Sequence, residues 1–170
     1  MERFLSDVCS LHWNDEMDAG RSWEEAIEAL VLRHPDQENY IRAYRNRWPE
    51  MLGGLFEDTL EVLDALRRNN TPLYALTNWA ADTFDLTKAQ YPFLNHFQGI
   101  VVSGREGIRK PNPEIFRRLL SRYDIAAPQA VFIDDNGQNV AAAAAMGMRA
   151  IHFQSASALR SDLQTLGFDV

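Results

Sequence analysis

Val131-Phe132-Ile133-Asp134-Asp135-Asn136-Gly137-Gln138-Asn139 runs from a wholly apolar triplet into two adjacent carboxylates, and then into residues that favour turns and helix starts. Apolar residues bounded in this way read as a short buried strand over 131–133. The alanine-rich run that follows reads as a helix over 136–146, and Gly147 as its left-handed terminator. A strand that passes directly into a helix is half of a crossover unit. One such unit proves little, so the flanking sequence decides whether the unit repeats.

It repeats in both directions. Toward the C-terminus the pattern predicts a strand over 150–153 and a helix over 156–166. Toward the N-terminus it predicts helix 58–68, strand 73–76, helix 80–90, strand 100–102 and helix 113–123. Strands alternating with helices of this length imply right-handed crossovers and a parallel sheet covered on both faces, an α/β fold. Upstream of Gly53-Gly54 the texture changes, with no strand-like run. Ser22 with Glu25 forms a capping-box start for a helix that carries Trp23, Ile27, Leu30 and Val31 on one face and ends at His34-Pro35. A second helix over 36–48 is expected to turn Tyr40, Ile41, Tyr44 and Trp48 to one side. The expected division is a helical segment over 1–52 and an α/β core over 53–170.

Composition narrows the function. The 170 residues carry a net charge of −7 with no basic block, which disfavours a nucleic-acid backbone or an anionic membrane as partner. The lone cysteine, Cys9, suits a reducing compartment. No apolar stretch approaches the roughly 20 residues of a membrane span, and no signal core follows Met1. A cytoplasmic location is expected.

Chemistry is sought just beyond the carboxyl ends of the strands, where parallel sheets bind ligands. Three sets lie there. Thr77 and Asn78 offer a hydroxyl and a backbone amide to an anion, with helix capping as the competing reading. Lys110 stands in Arg109-Lys110-Pro111-Asn112-Pro113, where Asn112 and Pro113 start the next helix and fix where the ammonium is aimed. Of 17 basic residues only Lys88 and Lys110 are lysines, so lysine is not the default cation, although a solvated loop lysine reads equally well. Asp134 and Asp135 repel each other unless a cation compensates, and a hard ion such as Mg²⁺ suits them. Capping by Asp135 or Asn136 is the alternative. A hydroxyl, a lysine and a carboxylate pair at three strand exits together suit a phosphoryl group and its metal.

These ordered motifs resemble the haloacid dehalogenase superfamily of hydrolases, over essentially the whole chain. Leu76-Thr77-Asn78 resembles the second motif, Arg109 to Pro113 the third, and Phe132 to Asn136 with Asn139 the fourth. The segment 1–52 is similar to part of a helical cap, and 53–170 to the Rossmann-like core. The resemblance implies an Mg²⁺-dependent phosphatase that acts on a small phosphorylated metabolite through an aspartyl-phosphate. It implies that Thr77, Asn78 and Lys110 bind phosphate, Lys110 being catalytic. Asp135 is then the direct metal ligand, with Asp134 acting through a water and Asn139 in support. The family's first motif, an apolar strand bearing the nucleophilic aspartate, has no match here. Asp7 reads as a helix-surface residue, so the central strand is expected to be absent, the chain inactive as written, and the reading frame to extend 25 to 30 residues upstream.

Two alternatives remain. A metal-free 2-haloacid dehalogenase keeps the fold, but the acidic pair argues against it. A phosphate-binding regulatory module without catalysis is the other. Trp13, Trp23 and Trp48 are expected to pack and Trp79 to touch a substrate, while Cys9 and the histidines His12, His34, His96 and His152 receive no catalytic role.

Overall fold

A computed structural model describes residues 2–170; Met1, the first residue of the expected helical segment, lies outside the described residues. The N-terminal third is helical: α1 (Glu2–Asp7), α2 (Leu11–Asp18), α3 (Trp23–Arg33) and α4 (Glu38–Asn46). There follow α5 (Glu57–Arg68), β1 (Tyr74–Thr77), α6 (Ala81–Lys88), β2 (Gly99–Val102), α7 (Ser103–Glu106) and α8 (Pro113–Arg122). The chain closes with β3 (Val131–Asp134), α9 (Gly137–Ala145), β4 (Arg149–His152) and α10 (Ala156–Thr165). The expected α/β alternation is present. Among the described residues, the four strands pair as β1 with β2 and β3 with β4. The second pair is parallel and sets Val131 opposite Arg149 and Asp134 opposite His152.

Local chemistry explains the element ends. Ser22 accepts a hydrogen bond from the Glu25 amide, and Asn112 one from Glu114 with Pro113 in the first turn. Gly147 ends the alanine helix at φ +86°. Two expectations need correction. The helix expected over 36–48 is a 3₁₀ turn (Pro35–Gln37), then α4, then a second 3₁₀ turn (Trp48–Met51). Pro49 lacks an amide hydrogen and restricts Trp48, so the α-helix ends before them. Tyr40 is 64% exposed rather than turned inward, because it sits about 100° around the helix from Ile41, the fully buried residue of that face. Between β2 and α8 the chain forms the short helix α7.

By contacts the chain divides into two compact units. One comprises the residues up to Gly53 with 77–91 and 101–109; the other comprises 54–76, 92–100 and 110–170. The first is built around Trp13, Met17, Trp23, Ile27, Leu30 and Ile41. Trp13 and Trp23 meet edge to face at 5.5 Å, and Tyr44 and Trp48 at 5.9 Å, which makes the tryptophans of the helical segment packing residues, as expected. In the second unit Val62 and Leu66 of α5 pack with Ile151 of β4 and with Leu159 and Leu163 of α10. Each side chain buried this way contributes about 2 kcal/mol.

Candidate active site

Lys110 organises the second unit's polar centre. Its ammonium donates to the Leu76 carbonyl at 2.7 Å and to Asp134 Oδ2 at 2.7 Å, joining the exit of β1 to the exit of β3. The side chains are only 10% and 8% exposed, so this is a buried ion pair and not a solvated lysine. The ammonium also lies 5.6 Å from the centre of the Phe132 ring, which adds a cation–π contact. The Lys110–Pro111 peptide is cis.

Asp134 is held on both oxygens. Oδ1 accepts from the Asn136 amide at 2.9 Å and from Asn139 Nδ2 at 3.0 Å, while Oδ2 takes the Lys110 ammonium. Burial alone would raise its pKa. The hydrogen bonds from Lys110 and Asn139, the lysine charge and the Asn136 amide outweigh burial and hold the carboxyl below its ordinary range. Asn136 caps α9 through the Gln138 amide at 2.9 Å, so the helix start needs no help from Asp135. Asp135 is exposed, and its carbonyl lies 2.8 Å from His152 Nε2. A carbonyl only accepts, so Nε2 carries the hydrogen there, and Gln154 Nε2 donates to Nδ1 at 3.2 Å.

The donor set is compatible with a hard cation. Both Asp134 oxygens are engaged within the protein, which leaves Asp135 as the carboxylate suited to bond an ion directly. Among the described residues no group of three or more His, Cys, Asp or Glu side chains is arranged around a metal position. An ion there would complete its shell with water and substrate oxygens, as Mg²⁺ commonly does.

Of the residues expected to form the site, Lys110, Asp134 and Asn139 are brought into direct contact, and Asp135 follows them in the chain. Thr77 and Asn78 belong to the first unit, at the end of β1 and just beyond it. Thr77 does not cap the next helix; Ala80 occupies that position without a side-chain bond. The segment is held by Ser103, fully buried, whose hydroxyl accepts from the Trp79 amide at 2.9 Å. Gly104 closes the same contact, because a Cβ there would meet the Ala81 nitrogen at 2.6 Å. Trp79, expected to touch a substrate, gives its indole N–H to Thr83 at 3.1 Å and packs against Trp48 and Phe84.

Sequence reasoning missed Ser103, although it follows an apolar strand as Thr77 does. It also missed an acidic pair on α2. Asp15 Oδ2 accepts from Arg109 Nη2 at 2.6 Å, on the residue before Lys110. Asp18 is 9% exposed and accepts the Ala80 amide. Burial first, and then the charge of Asp15, push its pKa up to about 6. Burial likewise pushes the Cys9 thiol up to about 12, which leaves it no use as a nucleophile at neutral pH.

A family model described as haloacid dehalogenase-like hydrolase matches residues 9–147. The sesquiterpene phosphatase astK of Aspergillus oryzae is 32% identical over 105 residues, covering 62% of this chain and 54% of that protein. The phosphoserine phosphatase of Thermus thermophilus is 32% identical over 129 residues, covering 75% and 49% respectively. The chain thus spans about half the length of these curated relatives. A crystal structure of a family enzyme from Bacteroides thetaiotaomicron, in complex with magnesium and inorganic phosphate, is similar with a TM-score of 0.68. It is 18% identical, and the similarity covers 84% of this chain and 75% of that one.

Proposed function

The chain belongs to the haloacid dehalogenase-like hydrolases, and from that membership we propose that it serves a cytoplasmic Mg²⁺-dependent phosphatase acting on a small phosphorylated metabolite. The observation that carries the reading is the buried Lys110–Asp134 pair with Asp135 exposed beside it. A buried ammonium at a strand exit, matched to one carboxylate and followed by a second, suits an anionic group and a divalent ion together. The phosphatases among the relatives support the same direction.

In this proposal Lys110 offsets the charge of the phosphoryl group, and Thr77 with Asn78 donates to its oxygens. Asp135 holds Mg²⁺, with Asp134 acting through a water and Asn139 fixing the Asp134 carboxylate. When bound, the ion supplies charge stabilisation at the phosphoryl oxygens. The proposed route passes the phosphoryl group from the substrate to an aspartate, which releases the alcohol, and then to water, which releases phosphate; no residue of this chain is assigned as that aspartate. The proposed division is a helical cap over 1–52 and a core over 53–170. No helix among the described residues is long and apolar enough to cross a membrane.

The test is hydrolysis of p-nitrophenyl phosphate by the product of the full reading frame. Turnover is expected only with Mg²⁺, and Lys110→Met and Asp135→Asn are each expected to lower kcat at least 100-fold. Metal-free release of chloride from 2-chloropropionate, with no phosphate release, would overturn the reading in favour of a dehalogenase.

A further inference from the structure

We propose that His152 is a positioning residue for Asp135: it fixes the backbone that carries the exposed carboxylate, and so sets how tightly the site holds its divalent ion. This rests on the Mg²⁺-dependent reading above. No contact with phosphate or ion is assigned to His152. It acts through the Asp135 carbonyl, and both residues belong to the second unit.

The need arises where the strand pairing stops. β3 and β4 run parallel with Asp134 opposite His152, and at that end the Phe153 amide donates to the Asp134 carbonyl at 2.9 Å. Asp135 lies one residue beyond β3, and its carbonyl is met by a side chain in place of a strand amide. His152 Nε2 donates to it at 2.8 Å. The bond carries the order of the sheet one residue further, up to the residue whose carboxylate is proposed to meet the ion.

The donor is itself held. Gln154 Nε2 donates to His152 Nδ1 at 3.2 Å, which keeps the ring hydrogen on Nε2 and fixes the ring's orientation. The ring also lies beside the first residue of α9, with His152 Cε1 3.8 Å from where a Cβ on Gly137 would stand. His152 thus spans the turn from Asp135 to Gly137. Asp134 is anchored through its own carboxylate by Lys110, Asn136 and Asn139. Asp135 differs, because its carboxylate is exposed and its aim depends on the backbone beneath it. A carboxylate on a loose turn loses more conformational freedom on binding an ion than one on a fixed turn.

The experiment is calorimetric titration of the full reading frame's product with Mg²⁺ in the presence of inorganic phosphate, together with ¹⁵N relaxation of the Asp135 and Asn136 amides in the metal-free protein. His152→Leu removes the donor and keeps the bulk, whereas His152→Gln restores an N–H at similar reach. The leucine variant is expected to hold Mg²⁺ about tenfold more weakly and to loosen both amides, and the glutamine variant to return both readouts toward the parent. Gln154→Leu, which frees the ring to turn, should give a smaller loss in the same direction, and it serves if His152→Leu does not fold by circular dichroism. Parental Mg²⁺ affinity or unchanged relaxation in folded His152→Leu, or a glutamine variant no better than leucine, overturns the proposal. If the parent binds no Mg²⁺, the metal-dependent reading fails, while loosening of Asp135 in His152→Leu still supports the positioning and its absence overturns it.

Discussion

Two largely enclosed carboxylates, one in each unit, have pKa values shifted in opposite directions. Asp18 is buried as a residue, and the Asp134 side chain is only 8% exposed. Asp134 has an ammonium at 2.7 Å and two further donors on its other oxygen, and its pKa falls. Asp18 receives the Ala80 amide but stands near the negative Asp15, and its pKa rises to about 6. Burial penalises both ionised forms, so what separates them is the cation in contact. The charged acid is stable where Lys110 sits and strained where it does not.

Removing that cation should break the contrast most severely. Lys110→Met leaves Asp134 enclosed and uncompensated, and a loss of about 3–5 kcal/mol in urea denaturation at pH 7 is expected. The two carboxylates then behave alike. In the unmodified protein Asp134 contributes stability above its unfolded value near 3.9 and loses it as pH falls through its lower folded value.

Asp18 works with the opposite sign. Its folded pKa of about 6 exceeds the unfolded value, so the fold binds its proton more tightly, and stability falls as pH rises from about 4 to 6. At 1.36 kcal/mol per unit the cost at pH 8 is about 3 kcal/mol. Asp18→Asn keeps an acceptor for the Ala80 amide and removes the charge. It is expected to raise the melting temperature at pH 8 and to leave it nearly unchanged at pH 4. An equal effect at both pH values would contradict the assignment.

The smallest effect belongs to Asp15. Its pair with Arg109 is about one third exposed on each side, so Asp15→Ala should cost at most about 1 kcal/mol. The same change removes the charge that helps to raise Asp18. The Asp18 carboxyl, followed by NMR against pH, should titrate lower than in the parent chain.

The legible parts of the molecule were those fixed by local chemistry. Apolar triplets followed by caps gave β3 and α9, and Asn112-Pro113 gave α8, because a few neighbouring residues determine these ends. Lys110 and Asp134 were readable as candidates, but their pairing was not, since it depends on how two strand exits approach. Asp18 was invisible for the same reason: its carboxylate is met by the Ala80 amide, more than 60 residues away in the chain. The hydrogen bond of Trp79 to Thr83, one turn on, was not legible either, because the adjacent motif drew attention to a ligand.

Lys110 and Asp135 are proposed to act on one anion with its counter-ion. Calorimetric titration with inorganic phosphate, in Mg²⁺ and then in EDTA, measures this directly. Mg²⁺ is expected to tighten binding at least tenfold, and Asp135→Asn to abolish that gain while changing stability by less than about 0.5 kcal/mol. Phosphate binding of equal strength in EDTA, or an Asp135→Asn variant that keeps the Mg²⁺ effect, would contradict it.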